Sequence, residues 1–263
     1  MIFPPSSNQM IQHQTNDDLY AQQASEYHNF VAKGLFYFKQ ACPDIVTTIA
    51  ALCARVKNTN QNDWHKLNQL LQYINGTIND KLILSSDDLH VIKWYMDADF
   101  SVHPDFKSHT GGGMTYITGM LVTVSRKQKL NTRSSTESEL VGADDISTMT
   151  FWTKLFIEVQ GYEISKNILH QDNRSTILLG NNGRRSLSNR TRSINIRYFF
   201  FTDQIQKGNL TVEYCPTTEM IYEFMNKLLQ VNLFQKFRKM IMVHMNVLPH
   251  CLEQQECVGR LNN

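Results

Sequence analysis

From Tyr27 to Asn75 the large apolar residues return every three or four positions: Phe30, Val31, Leu35 and Phe38, then Ile45, Ile49, Leu52 and Val56, then Trp64, Leu67, Leu71 and Ile74. That spacing gathers each group on one face of an α-helix. Cys42-Pro43-Asp44 and the polar stretch 57–63 interrupt it, so three helices packed as a small bundle are predicted. At Leu89 the period changes. HVIKWYMDADF alternates and is rich in β-branched and aromatic residues, as a buried strand should be. GMTYITGMLVTVS and KQKLNT predict two more strands, with Gly111-Gly112-Gly113 as a turn before them.

A long helix is predicted from about Ser135 to Gly161, with Leu140, Ala143, Ile146, Phe151, Leu155 and Val159 broadly on one side. A short strand NILHQD, a short helix, a helical stretch INIRYFFFTDQIQKG, a strand LTVEYC and a helix from about Thr217 follow. Residues 231–242 continue as helix, with Leu233, Phe237 and Met240 as an apolar set. Three strands followed by alternating helices and strands predict an α/β layered domain with a mixed sheet. Residues 1–24, rich in Gln, Asn, Ser and Asp, are expected to form a disordered or loosely attached arm. The tail 243–263 matches no pattern.

Composition narrows the classes. A chain of 263 residues can bury a sizeable core, and a formal net charge of +2 does not by itself announce nucleic acid. Five scattered cysteines without a CxxC pair suggest neither a disulfide framework nor a zinc site. The N-terminus lacks a basic segment followed by an apolar core, and no apolar run approaches 18 residues. A soluble intracellular protein is expected, cytoplasmic or nuclear, with no membrane partner.

Carboxylates stand where an open α/β sheet assembles its sites. Asp97 and Asp99 end the first predicted strand, Asp172 ends NILHQD, and Glu137 and Glu139 begin the helix between them. Converging carboxylates repel and raise one another's pKa unless a cation neutralises them, which points to a hard divalent ion such as Mg²⁺. Two ions about 3.5–4 Å apart would serve phosphodiester hydrolysis. A plainer reading stands beside this one. Ser134 to Glu137 fits a capping box in which Glu137 reaches back to the cap amide, Glu139 alone would be a solvated helix residue, Asp97 an ordinary strand end, and Asp172-Asn173 a turn and helix cap. Trp94, Trp152 and most of Tyr198–Phe201 read as core, and His170 as a strand residue.

Five blocks, in order, resemble the RNase H domain of copia-type retrotransposon Pol polyproteins: DADF at Asp97, KQKLNTRSSTESEL from Lys127, QDNRST at Gln171, RTRSINIRYFF from Arg190 and YCPTTEMIYEFMNKLL from Tyr214. The segment from Phe30 through DWHKLNQLLQYINGT resembles the end of the copia-type reverse transcriptase, its thumb and connection. The resemblance covers roughly residues 25–240. It implies a helical thumb and connection remnant over 25–88, and over 89–242 an RNase H-like mixed five-stranded sheet flanked by helices. By motif match, Asp97, Glu139, Asp172 and Glu223 would be the catalytic, metal-binding acids for Mg²⁺, with Mn²⁺ as a substitute, and Asp99 a dispensable neighbour. Glu137 would then only cap.

The implied activity is a ribonuclease cutting the RNA strand of an RNA·DNA hybrid by a two-metal mechanism. Arg126, Lys127, Lys129 and Arg133, with Arg184, Arg185, Arg190, Arg192 and Arg197, would hold its phosphates. Other parts of a Pol polyprotein would be further partners. The chain departs from the pattern at Glu223, where the family has aspartate, at Ser193 and Asn195, and at Phe199. Those departures leave open a second reading, a catalytically degenerate fragment that keeps the fold and at most binds nucleic acid. The Tyr-x-Asp-Asp pair of a polymerase is absent from residues 1–90, and Asp144-Asp145 lies inside the predicted long helix, so no reverse transcriptase core is expected. A transposon integrase of the same core fold would order its acids Asp, Asp, Glu, unlike the Asp, Glu, Asp, Glu here.

Overall fold

The computed structural model describes residues 21–84, 90–115, 119–182, 195–216, 220, 225 and 231–242. Helices α1 (Ala21–Gln40), α2 (Val46–Cys53) and α3 (Gln61–Gly76) form the first layer, with a 3-10 turn Pro43–Ile45 leading into α2. The helix α1 begins inside the stretch expected to be an arm, because Ala24 already packs against the helical core. Asn60 caps α3 by accepting from the Asp63 N–H at 3.0 Å, and Asp63 returns the favour to the Asn60 N–H at 3.2 Å, which satisfies two of the orphan amides of a helix start.

The sheet is the expected one: five strands, mixed, flanked by helices. Strands β1 (Val91–Asp99), β2 (His109–Thr115), β3 (Val122–Lys127), β4 (Lys166–Gln171) and β5 (Thr211–Tyr214) lie in the order β3-β2-β1-β4-β5. The pairs β1–β2 and β2–β3 are antiparallel, β1–β4 and β4–β5 parallel. Helices α4 (Ser135–Val159), α5 (Arg174–Asn182) and α6 (Asn195–Gln206) make the connections, and α7 (Val231–Met242) comes last.

Alternation along β1 separates two cores. Ile92, Trp94 and Met96 pack with Leu140, Ala143 and Ile146 of α4 and with Phe201 of α6. Tyr95 joins the helical cluster of Tyr27, Ile49, Leu67 and Tyr73. Helix α7 packs in this second cluster too, through Phe234, set edge-on to Tyr73 with ring centroids 5.8 Å apart, and Ile241. The side chains of Leu233, Phe237 and Met240, and the start of a helix at Thr217, lie outside the described residues.

Four expectations need correction. The stretch GMTYITGMLVTVS is not one strand: β2 ends at Thr115 and β3 begins at Val122, and the two pair antiparallel. Gly111, Gly112 and Gly113 are buried in the middle of β2 and form no turn. A Cβ on Gly112 would come within 2.4 Å of Ile146 Cδ1 and 2.5 Å of the Tyr95 carbonyl, so the glycine lets α4 lie against the sheet. The segment KQKLNT is not a strand: β3 ends at Lys127, and Gln128 turns inward to bond Thr110 Oγ1 at 2.9 Å and the Ser138 carbonyl at 2.8 Å. Trp152, Leu155 and Val159 are exposed, not core; Trp152 is 65% exposed and stacks on Phe156, at 5.2 Å. A 25-residue helix is about 37 Å long, longer than any strand it crosses, so its last turns outrun the sheet. Of the aromatic run, Phe201 is buried and Phe200 is half exposed against Phe151; the side chains of Tyr198 and Phe199 lie outside the described residues.

Candidate active site

Asp97 sits near the end of β1, buried, with its Oδ1 accepting the Ala98 N–H at 2.8 Å. Glu139 enters from the first turns of α4. Ser134 caps that helix by accepting the Glu137 N–H at 3.2 Å, and Glu137 accepts the Arg133 N–H at 2.7 Å, one residue before the cap amide that the sequence suggested. Two residues along a helix rotate a side chain by about 200°, so Glu139 points away from this capping arrangement and toward β1 and β4. Its Oε1 accepts the Ala98 N–H at 3.3 Å and its Oε2 accepts the Gln171 amide at 3.1 Å. Asp172 follows β4. Asn173, not Asp172, caps α5, accepting the Thr176 N–H at 3.2 Å.

One carboxylate oxygen from each of Asp97, Glu139 and Asp172 lies within 4.8 Å of the other two. Burial, then the charge of Asp97, holds the Glu139 carboxyl well above the usual carboxylate range; the Gln171 hydrogen bond opposes this only in part. Among the described residues no ion pair reaches Asp97 or Glu139. Three hard oxygen donors brought this close together fit a divalent cation chemically. Glu223 lies outside the described residues, as do Ser193, Arg184, Arg185, Arg190 and Arg192; Arg197 is within α6, but its side chain is not described.

The four cations on the β3 side are exposed. Arg126 is engaged with Asp145, at 3.1 Å to its carbonyl and 3.4 Å to its carboxylate, and Lys127 with Asp105 at 2.7 Å. Asp144 and Asp145 are inside α4. His170 stacks on Tyr95 at 4.5 Å within β4, as a strand residue would.

Other polar groups escaped sequence reasoning. Arg174 lies over the Tyr214 ring at 4.6 Å, two residues past Asp172; a cation so close to a candidate acid was the signal available. His103 Nε2 and His109 Nδ1 are 3.0 Å apart, and His109 Nε2 meets Ser125 Oγ at 2.8 Å. Burial, then His103, pushes the His109 pKa down to about 3. A loop residue and a strand residue six positions apart carry no periodic signal for such a pair. Gln171 gave none either, since glutamine has no charge to mark it.

No family model matches the chain. It is similar to the retrovirus-related Pol polyprotein from transposon TNT 1-94 of Nicotiana tabacum, 27% identical over 218 residues, or 82% of this chain and 16% of that protein. It is likewise 27% identical, over 86% of its length, to the Pol polyprotein from transposon RE2 of Arabidopsis thaliana. The similarity to copia-type Pol polyproteins thus extends over most of the chain, and the chain spans about a sixth of the length of these relatives. Among solved structures it is similar to LC11-RNase H1 (11% identity, TM-score 0.38, 52% of this chain and 96% of that one). A second is the prototype foamy virus protease-reverse transcriptase (14% identity, TM-score 0.34, 82% of this chain and 27% of that one). No described helix is long and apolar enough to cross a membrane.

Proposed function

We propose that this chain is a retrotransposon-derived, RNase H-like ribonuclease that hydrolyses the RNA strand of an RNA·DNA hybrid with divalent metal ions. The observation that carries the reading is the meeting of Asp97, Glu139 and Asp172, from three separate elements, within 4.8 Å. Acids brought together at the edge of a core cost stability unless something neutralises them, so their grouping favours a cation over chance.

Asp97, Glu139 and Asp172 would hold the metal, Mg²⁺ or in its place Mn²⁺, with Glu223 as the fourth acid by motif. Bound there as a pair, the ions would supply Lewis-acid polarisation of the scissile phosphate and stabilisation of the leaving oxygen. A cation bound there would oppose the burial and the Asp97 charge that raise the Glu139 pKa. Lys129 and Arg133, exposed between β3 and α4, would take phosphates of the hybrid, joined by Arg126 and Lys127 when these release their carboxylate partners. A-form shape and 2′-hydroxyls would distinguish the RNA strand.

The test is cleavage of a labelled RNA·DNA hybrid in Mg²⁺ or Mn²⁺, with Asp97→Asn and Glu223→Asp alongside. Wild type should cut only the RNA strand, and Asp97→Asn should lose about a thousandfold or more, as befits a ligand whose metal supplies several kcal/mol. Faster cutting by Glu223→Asp would show the longer side chain to be a handicap. A folded protein silent in both metals, in all three forms, would mean a degenerate fragment.

A further inference from the structure

Gln171 closes β4, immediately before Asp172, and is 1% exposed. A buried primary amide must satisfy donors and an acceptor. Its Nε2 donates to Glu139 Oε2 at 3.1 Å, and its Oε1 accepts the Asn173 N–H at 2.9 Å. Which end faces which partner is not arbitrary. A backbone N–H can only donate, so the amide oxygen must face Asn173 and the NH₂ must face Glu139.

The base of the side chain is fixed as well. The Gln171 carbonyl accepts the Cys215 N–H at 3.0 Å, and the residue pairs with Tyr214 in β5. Met96 Sδ lies 3.9 Å from Nε2 and closes the space on that side. Glu139, tied to Ala98 by one oxygen and to Gln171 by the other, is therefore strung between β1, which carries Asp97, and the end of β4, which leads into Asp172.

We infer that Gln171 is a positioning residue for the carboxylate cluster, holding Glu139 at a set distance from the turn that carries Asp172 so that both can share one cation. The inference rests on the metal-binding reading above. Gln171 itself offers nothing to the ion or to a substrate. Its effect is to spare metal binding the entropy of fixing a glutamate side chain, and partners behind a metal ligand commonly change affinity by about 10–100-fold.

Titration calorimetry of Mn²⁺ into the full chain tests this, comparing wild type with Gln171→Met, which keeps length and volume, and with Asp97→Asn. The Mn²⁺ dissociation constant should rise about 10–100-fold in Gln171→Met, while hybrid cleavage at saturating Mn²⁺ returns toward the wild-type rate. A general folding defect would not divide metal affinity from turnover in that way. If wild type binds Mn²⁺, Asp97→Asn does not, and folded Gln171→Met binds like wild type, the positioning role is wrong and the metal site stands. If wild type binds no Mn²⁺, both fall. Should Gln171→Met fail to fold, the wild-type protein still decides. Its Gln171 side-chain NH₂ should give two resolved, slowly exchanging NMR signals that shift on Mg²⁺ addition, and signals that stay put would overturn the inference.

Discussion

Asp44 and Glu139 are both almost fully buried, and the protein treats them differently. Arg238 donates to Asp44 at 2.8 Å and to Asp80 at 2.6 Å, and the Tyr73 hydroxyl donates to Asp44 as well. Around Glu139 the donors among the described residues are the neutral Ala98 N–H and Gln171 amide, while Asp97 and Asp172 add like charge. The helical layer thus carries its own counter-charge in α7. Among the described residues no ion pair gives Glu139 a counter-charge, so a proton or an outside cation would have to supply it. Burial alone therefore does not tell the two acids apart; the charges set around each of them do.

Arg238→Met would break the contrast from the helical side. It strands Asp44 without its cation, and losing one partner of a buried pair costs about 3–5 kcal/mol. Urea unfolding of the whole protein should read that loss, with metal present or absent.

His109 offers a third case, a buried polar group kept neutral. Its folded pKa is depressed to about 3 from the ordinary value of 6.5, so the unfolded chain binds the proton first. Stability from this source is complete above about pH 6.5 and falls as pH drops toward 3. Between pH 6.5 and 5 the loss should reach at most about 2 kcal/mol. His109→Gln should flatten that slope in the same unfolding measurement.

Asp97→Asn sharpens the contrast from the sheet side. In metal-free buffer it should raise stability by on the order of 1 kcal/mol, since it removes a like charge from beside Glu139. Saturating Mg²⁺ should reverse the sign by stabilising wild type alone. A metal-free melt in which Asp97→Asn is less stable than wild type would remove the claim that the acids repel.

Much of this arrangement is legible in the sequence, for definite reasons. The strand-end aspartates and the cap at Ser134 are local features, written within a few residues, and they located the elements that carry Asp97, Glu139 and Asp172. What stayed hidden depends on distant contacts. Gly112 looks like a turn glycine until Ile146 and the Tyr95 carbonyl are seen against it. Leu155 and Val159 keep the helical period of a buried face, yet periodicity cannot say where the sheet beneath a helix stops. Gln171 joins Glu139 across 32 positions, and nothing near it in sequence shows that it does.

Arg238 and Asp44 stand 194 positions apart, which bears on how the molecule is made. Synthesis at about 5–20 residues per second puts about 10–40 s between the addition of Asp44 and that of Arg238. During that interval the first helices can gather, but their buried acid has no guanidinium to meet it. The layer that emerges first is therefore the one completed last, after every strand of the sheet has been translated.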